Sequence, residues 1–161
     1  MRKIILLAAA VLALGYAVFA WATVDRRGDE AQIRSVIRDA ADAVRVRGVN
    51  TIISHVSADY QDDSGLSRDS LRLLVGQALW DESQRYRCEA RIEELTVNGD
   101  KAEVVTHATI TSYESGERVY DRTLTLLFAR ESGRHAVILP VKTWRVIGSR
   151  DAGLDVDSLL Q

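Results

Sequence analysis

Cysteine, proline and histidine are scarce in this chain of 161 residues. A lone cysteine, Cys88, has no partner for an internal disulfide, so packing must hold the fold together and no bridge reveals the redox compartment. The single proline, Pro140, lacks an N–H and is predicted to lie at a sheet edge, a bulge or a break. The three histidines, His55, His107 and His135, are scattered and show no HxH or HxxxH spacing, so no histidine-based metal centre is expected. Charge of one sign is missing too. With 21 basic and 23 acidic residues the net charge is −2, and no basic run supplies the footprint that nucleic acid requires. Neither a phosphate-binding glycine loop, a dinucleotide fingerprint nor a nucleophile elbow is present. No cofactor is expected. The acidic stretch Asp59–Gly65 fails as a calcium loop: its glycine comes one position late, and Ser70 stands where a closing glutamate belongs.

What is present begins with a hydrophobic front. After Met1-Arg2-Lys3, residues 4–22 carry no charge and no proline, long enough as a helix to match about 28 Å of bilayer hydrocarbon. Two fates fit residues 1–23. An uncleaved signal anchor would use the whole run, with Tyr16, Phe19 and Trp21 at the outer interface. A signal peptide would be cut at Ala20-Trp21-Ala22. Either fate places the rest of the chain outside the cytoplasm: on the cell membrane as a single-pass protein, or secreted or periplasmic. Residues 24–28 read as a linker.

From Asp29 the pattern becomes helical. Ile33, Val36, Ile37, Ala40, Ala41 and Val44 form one apolar stripe, Asp29 with Gln32 suggests a capping box, and Gly48 suggests a C-cap. Asn50 is positioned to cap a short second helix and Ser67 a third, whose stripe is Leu71, Leu74, Val75 and Ala78. Beyond Arg85 the period shortens to two: Tyr86, Cys88, Ala90 and Ile92 alternate with charged residues. Asn98-Gly99-Asp100 is a hairpin signal, Glu114–Glu117 a second turn and Glu131–Arg134 a third, giving long antiparallel strands up to Arg150. Residues 151–161 form an acidic tail. Helices followed by a meander predict an α+β domain over residues 29–150, with three helices packed on a curved antiparallel sheet.

The series Ala40-Ala41-Asp42, Gly48-Val49-Asn50, Val56–Tyr60 and Asp63-Ser64-Gly65, closed by Thr143-Trp144-Arg145-Val146-Ile147-Gly148, resembles the NTF2-like superfamily, which includes SnoaL-like and ketosteroid-isomerase-like proteins. That resemblance implies a cone-shaped domain with a pocket at its mouth. Isomerase-like members use a carboxylate after the second helix as general base, a position that Asp62 and Asp63 match. The tyrosine such members carry on the first helix has no counterpart between Asp29 and Arg47. Strand parity places Tyr120 and Arg122 on the apolar face of the third strand and Thr106 and Ser112 on the equivalent face of the second. With Tyr60 they are the expected pocket lining for a small hydrophobic ligand. The opposite face, with Val105, Thr109, Thr125, Leu127 and Ile147, is the expected contact for a homodimer or a protein partner, as in NTF2-like relatives. Two functions follow as expectations: a non-enzymatic binding or assembly module at the outer side of the membrane, or a SnoaL-like enzyme with Asp62 or Asp63 as base.

Overall fold

In the computed structural model, the residues described are 12–16, 18–19, 28–80, 84–135 and 139–153. They fall into two compact units: residues 28–130 with 144–153, and residues 12–19 with 131–143. In the second unit, residues 12–16 and 18–19 are helical and expose Leu12, Leu14, Val18 and Phe19. Among the described residues no helix is long and apolar enough to cross a membrane. The rest of the expected span of residues 4–22, and residues 154–161 of the tail, lie outside the described residues.

The larger unit is α+β. Helices α1 (Asp29–Arg45), α2 (Val49–Ser54) and α3 (Arg68–Trp80) precede an antiparallel meander in which β1 (Tyr86–Asn98) pairs with β2 (Lys101–Ser112) and β2 with residues 118–129 of β3 (Arg118–His135), whose residues from 131 on belong to the second unit. With β4 (Leu139–Arg150) the sheet order is β1-β2-β3-β4, so Pro140 belongs to an edge strand. Register shifts between Ile92 and Glu94 and between Ile110 and Thr111 mark bulges, which add twist to long strands.

The α1 stripe forms the core with one sheet face. Ile33 and Ile37 pack with Ala102, Val104, Phe128 and Trp144, and Phe128 and Val104 are all but sealed from solvent. At one end of this core the carboxylate of Asp29 accepts a hydrogen bond from Trp144 Nε1 at 3.2 Å and pairs with Arg130. The Arg130 guanidinium lies 4.9 Å from the centre of the Trp144 ring. Cation, anion and indole thus join the first turn of α1 to β3 and β4 across 115 positions of sequence.

Several local expectations are corrected. Asp29 is the first helical residue, not a cap; Gly28 precedes it and makes no side-chain cap. Its carboxylate serves the Arg130 and Trp144 contacts instead. Gly48 does not end α1, which closes at Arg45 with Val46 as C-cap, and the left-handed position falls on Arg47, at φ 55°. Gly48 precedes α2 directly, so Asn50 lies inside that helix and accepts a hydrogen bond from Arg72 at 2.9 Å. Glu131–Arg134 is not a turn: β3 runs on through it to His135. Other signals hold. Ser67 Oγ accepts from the Ser70 N–H at 3.3 Å, and Gly99 takes φ 62° in the β1–β2 hairpin.

The free edge of β4 is covered by the segment that follows α2. Val146 N–H donates to the His55 carbonyl (2.9 Å), Ser57 N–H to Val146 (2.9 Å), Gln61 N–H to Ile147 (3.1 Å) and Asp63 N–H to Ser149 (3.1 Å). This approach requires Gly148, where an added Cβ would lie 2.6 Å from the Gln61 carbonyl oxygen. Gly76, inside α3, has open space around it. Urea denaturation of Gly148→Ala is expected to show a loss of about 1–3 kcal/mol, because the loop must leave the edge. Gly76→Ala is expected to gain about 1 kcal/mol from helix propensity.

Candidate functional site: an apolar cavity under the helices

Between α1, α2 and the inner sheet face lies a cavity of about 270 Å³. Its walls are largely apolar: Val36, Ala40 and Val44 from α1, Ala90 from β1, Leu124 and Leu126 from β3. Small residues open this space. Ala40, Ala90 and Ala108 stand at inward positions where the leucines and valines of a filled core would meet.

The polar groups in the walls are mostly engaged already. Tyr60 is buried (5% exposed), with its hydroxyl 3.0 Å from Ser149 Oγ. Tyr120 donates to the Ala152 carbonyl at 2.8 Å, and Thr106 to the Arg91 carbonyl at 3.1 Å. Cys88 and His55 complete the set. Burial pushes the Cys88 thiol up to about 11, with the Glu89 carboxylate adding to the rise. Burial also raises both tyrosine hydroxyls and lowers the His55 imidazole. Every titratable group lining the cavity is therefore biased towards its neutral form.

Tyr60, Tyr120 and Thr106, three of the expected lining residues, meet at this cavity. The other two lie elsewhere. Ser112 Oγ accepts from the Ser115 N–H at 3.4 Å and lies 3.3 Å from Glu114 Oε2, at the β2–β3 turn. Arg122 is exposed in a separate polar depression with Asp63, Ser64, Asp151 and Gly153, and its guanidinium rests against the Gly153 backbone.

Asp62 and Asp63 brace the loop. Asp62 Oδ1 accepts from the Ser64 N–H (2.9 Å), the Ser64 hydroxyl (2.8 Å) and the Leu66 N–H (2.7 Å), in a tight turn that Gly65 completes at φ 84°. Asp63 Oδ2 accepts from the Asp151 N–H at 3.0 Å. Neither carboxylate lines the cavity. Asp151–Gly153, assigned by sequence to the tail, contribute the buried Ala152 to its wall. Among the described residues no cluster of three or more His, Cys, Asp or Glu could hold a metal.

On the opposite sheet face Val105, Thr109, Thr125, Leu127 and Ile147 are each half-buried. The same face carries a charged network in which His107 Nε2 lies 2.7 Å from Asp121, Arg118 pairs with Asp121 at 3.1 Å, and Thr109 donates to Asp121 at 3.3 Å.

No family model matches this chain, and no curated protein is similar to it in sequence. Solved structures are similar in fold. An NTF-2 like protein of unknown function from Shewanella oneidensis MR-1 superposes with a TM-score of 0.60 at 11% identity, covering 76% of this chain and 98% of that one. An NTF2-like protein of unknown function from Pseudomonas putida KT2440 gives 0.56 at 17% identity, covering 75% and 83%. Aln2 from a Streptomyces species gives 0.61 at 11% identity, covering 78% and 92%.

The bias of the cavity groups has a consequence for stability. His55 has a folded pKa below its unfolded value of 6.5, so the unfolded chain binds more protons in acid, and this contribution weakens as pH falls below 6.5. Cys88 has a folded value above its unfolded 9.0, so its contribution is complete below 9.0 and is lost as pH rises towards about 11. Urea midpoints are expected to decline on both flanks, and Cys88→Ala should make the alkaline decline shallower. The helices and meander seen here are those of an NTF2-like fold, and that is what the likeness to solved structures establishes.

Proposed function

We propose that this chain is a non-enzymatic binding module, presented at the outer side of a membrane, that takes up a small hydrophobic ligand. The observation that carries the reading is the cavity itself: apolar walls with most polar atoms already hydrogen-bonded and no carboxylate among its lining residues. Such a space favours transfer of apolar surface from water and offers little to stabilise developing charge. Neither Asp62 nor Asp63 reaches this cavity as a general base: Asp62 is held in its own turn, and Asp63 lies with Arg122 in the separate polar depression while accepting from the Asp151 N–H.

Aminonaphthalene, an uncharged fluorophore, tests the binding. Its emission is expected to rise and shift to the blue on saturable binding to the full chain. Ala108→Phe, which fills the cavity, should weaken binding by roughly tenfold or more, a loss of about 1.4 kcal/mol. Equal binding by the filled variant would refute the assignment.

The placement outside the cytoplasm rests on the charge-free run of residues 4–22 and on the exposed apolar side chains of its described residues, Leu12, Leu14 and Val18. Such side chains call for an apolar partner. The face with Val105, Thr109, Thr125, Leu127 and Ile147 is the surface assigned to a second copy or a protein partner. Intact and native mass spectrometry of the membrane fraction tests both points. The expected result is a chain retaining residues 1–22 that forms a dimer, with Thr125→Glu shifting it to monomer. A wholly cytosolic chain or a dimer indifferent to Thr125→Glu would each remove one part of the proposal.

A further inference from the structure

We propose that the cavity selects an uncharged, mostly apolar ligand carrying one hydroxyl, held by a hydrogen bond to the imidazole of His55. The inference deepens the binding reading above and rests on it.

Most of the polar lining is satisfied from within the chain. Tyr60 and Ser149 bond to each other, Tyr120 to the Ala152 carbonyl and Thr106 to the Arg91 carbonyl. The Cys88 thiol is a weak donor and a weak acceptor. His55 differs: among the described residues its side chain makes no hydrogen bond, yet the residue lines the cavity and is half-buried. Its position is fixed from the backbone. The His55 N–H donates to Ile52 at 3.2 Å, and its carbonyl accepts from Val146 at 2.9 Å, so the residue is anchored both to α2 and to β4. These two bonds hold the backbone of His55 at the cavity wall.

The surroundings decide the charge of the ligand. Burial lowers the His55 pKa, opposed by Asp39 on α1 and reinforced by Arg145 on β4. A neutral imidazole carries one acceptor nitrogen and one donor, the pair that a hydroxyl can satisfy. A carboxylate ligand would lose its water without meeting a cation in the walls, since Arg122 lies in the separate depression and Arg145 donates to the Ser54 carbonyl. The volume, near 270 Å³, is that of a site for a small molecule.

Naphthol and naphthalene, a matched pair differing by one hydroxyl, separate the two levels of the proposal when titrated calorimetrically into the full chain against a matched blank. The wild-type chain is expected to bind naphthol about fivefold tighter than naphthalene, the value of one net hydrogen bond in a buried setting. His55→Leu should keep naphthalene binding and lose the preference, while His55→Gln should restore part of it. Near-UV circular dichroism shows whether each variant is folded. A wild-type chain that binds both probes equally, or a His55→Leu chain that keeps the preference, overturns the role of His55 and leaves the cavity reading intact. A wild-type chain that binds neither probe overturns the cavity reading, and this inference falls with it.

Discussion

The pairing of residues 55–63 with the outer edge of β4 is the constraint on which the larger unit depends. An open strand edge offers unpaired N–H and C=O groups, and burying the edge requires a partner for each. Here a loop rather than a fifth strand supplies them, through His55, Ser57, Gln61 and Asp63. Because that loop leaves α2 and leads into α3, fixing it to the sheet fixes where the helices stand. The space beneath α1 then has a set depth, Tyr60 reaches Ser149, and the Asp62 carboxylate is drawn into its own turn. The opposite edge, β1, is protected differently: Arg87, Glu89, Arg91 and Glu93 line its exposed positions, the charged pattern that discourages pairing with another strand.

The order and class of elements were legible in the sequence because they follow from periodicity. The α1 stripe, the alternation of β1 and the Asn98-Gly99 turn each report a local constraint that the fold does not override. The failures were of another kind. Asp29 has the chemistry of a cap, but its carboxylate has a stronger use with Arg130 and Trp144, residues more than a hundred positions away that no local pattern reveals. Gly48 looked like the left-handed residue, yet Arg47 takes that conformation while its guanidinium bonds the Gln84 carbonyl at 2.7 Å. The reading of Glu131–Arg134 as a turn trusted glycine and serine over strand continuity.

At the candidate site, parity located Tyr120 and Thr106 but gave no measure of how far along a strand the cavity extends, so Arg122 and Ser112 were grouped with them. His55 carried no signal at all. It lies in the turn after α2, where neither helical nor strand periodicity applies, and only the pairing with Val146 brings it to the cavity wall. Ser149 and Ala152 are similar cases, set by the path of the chain after β4. Closing the cavity is thus a tertiary event, while the residues that shape its walls, alanines above all, are visible beforehand only as gaps in an apolar pattern.

One feature of the cavity makes the protein convenient to interrogate. Cys88 is the chain's sole thiol, it faces the space a ligand would enter, and burial keeps it protonated. Such a sulfur resists scrambling with other thiols, so passage through an oxidising environment need not cross-link the protein. It is also a native reporter: an occupant in the cavity shields the sulfur from alkylation, and the rate of that modification counts empty molecules without any label being introduced.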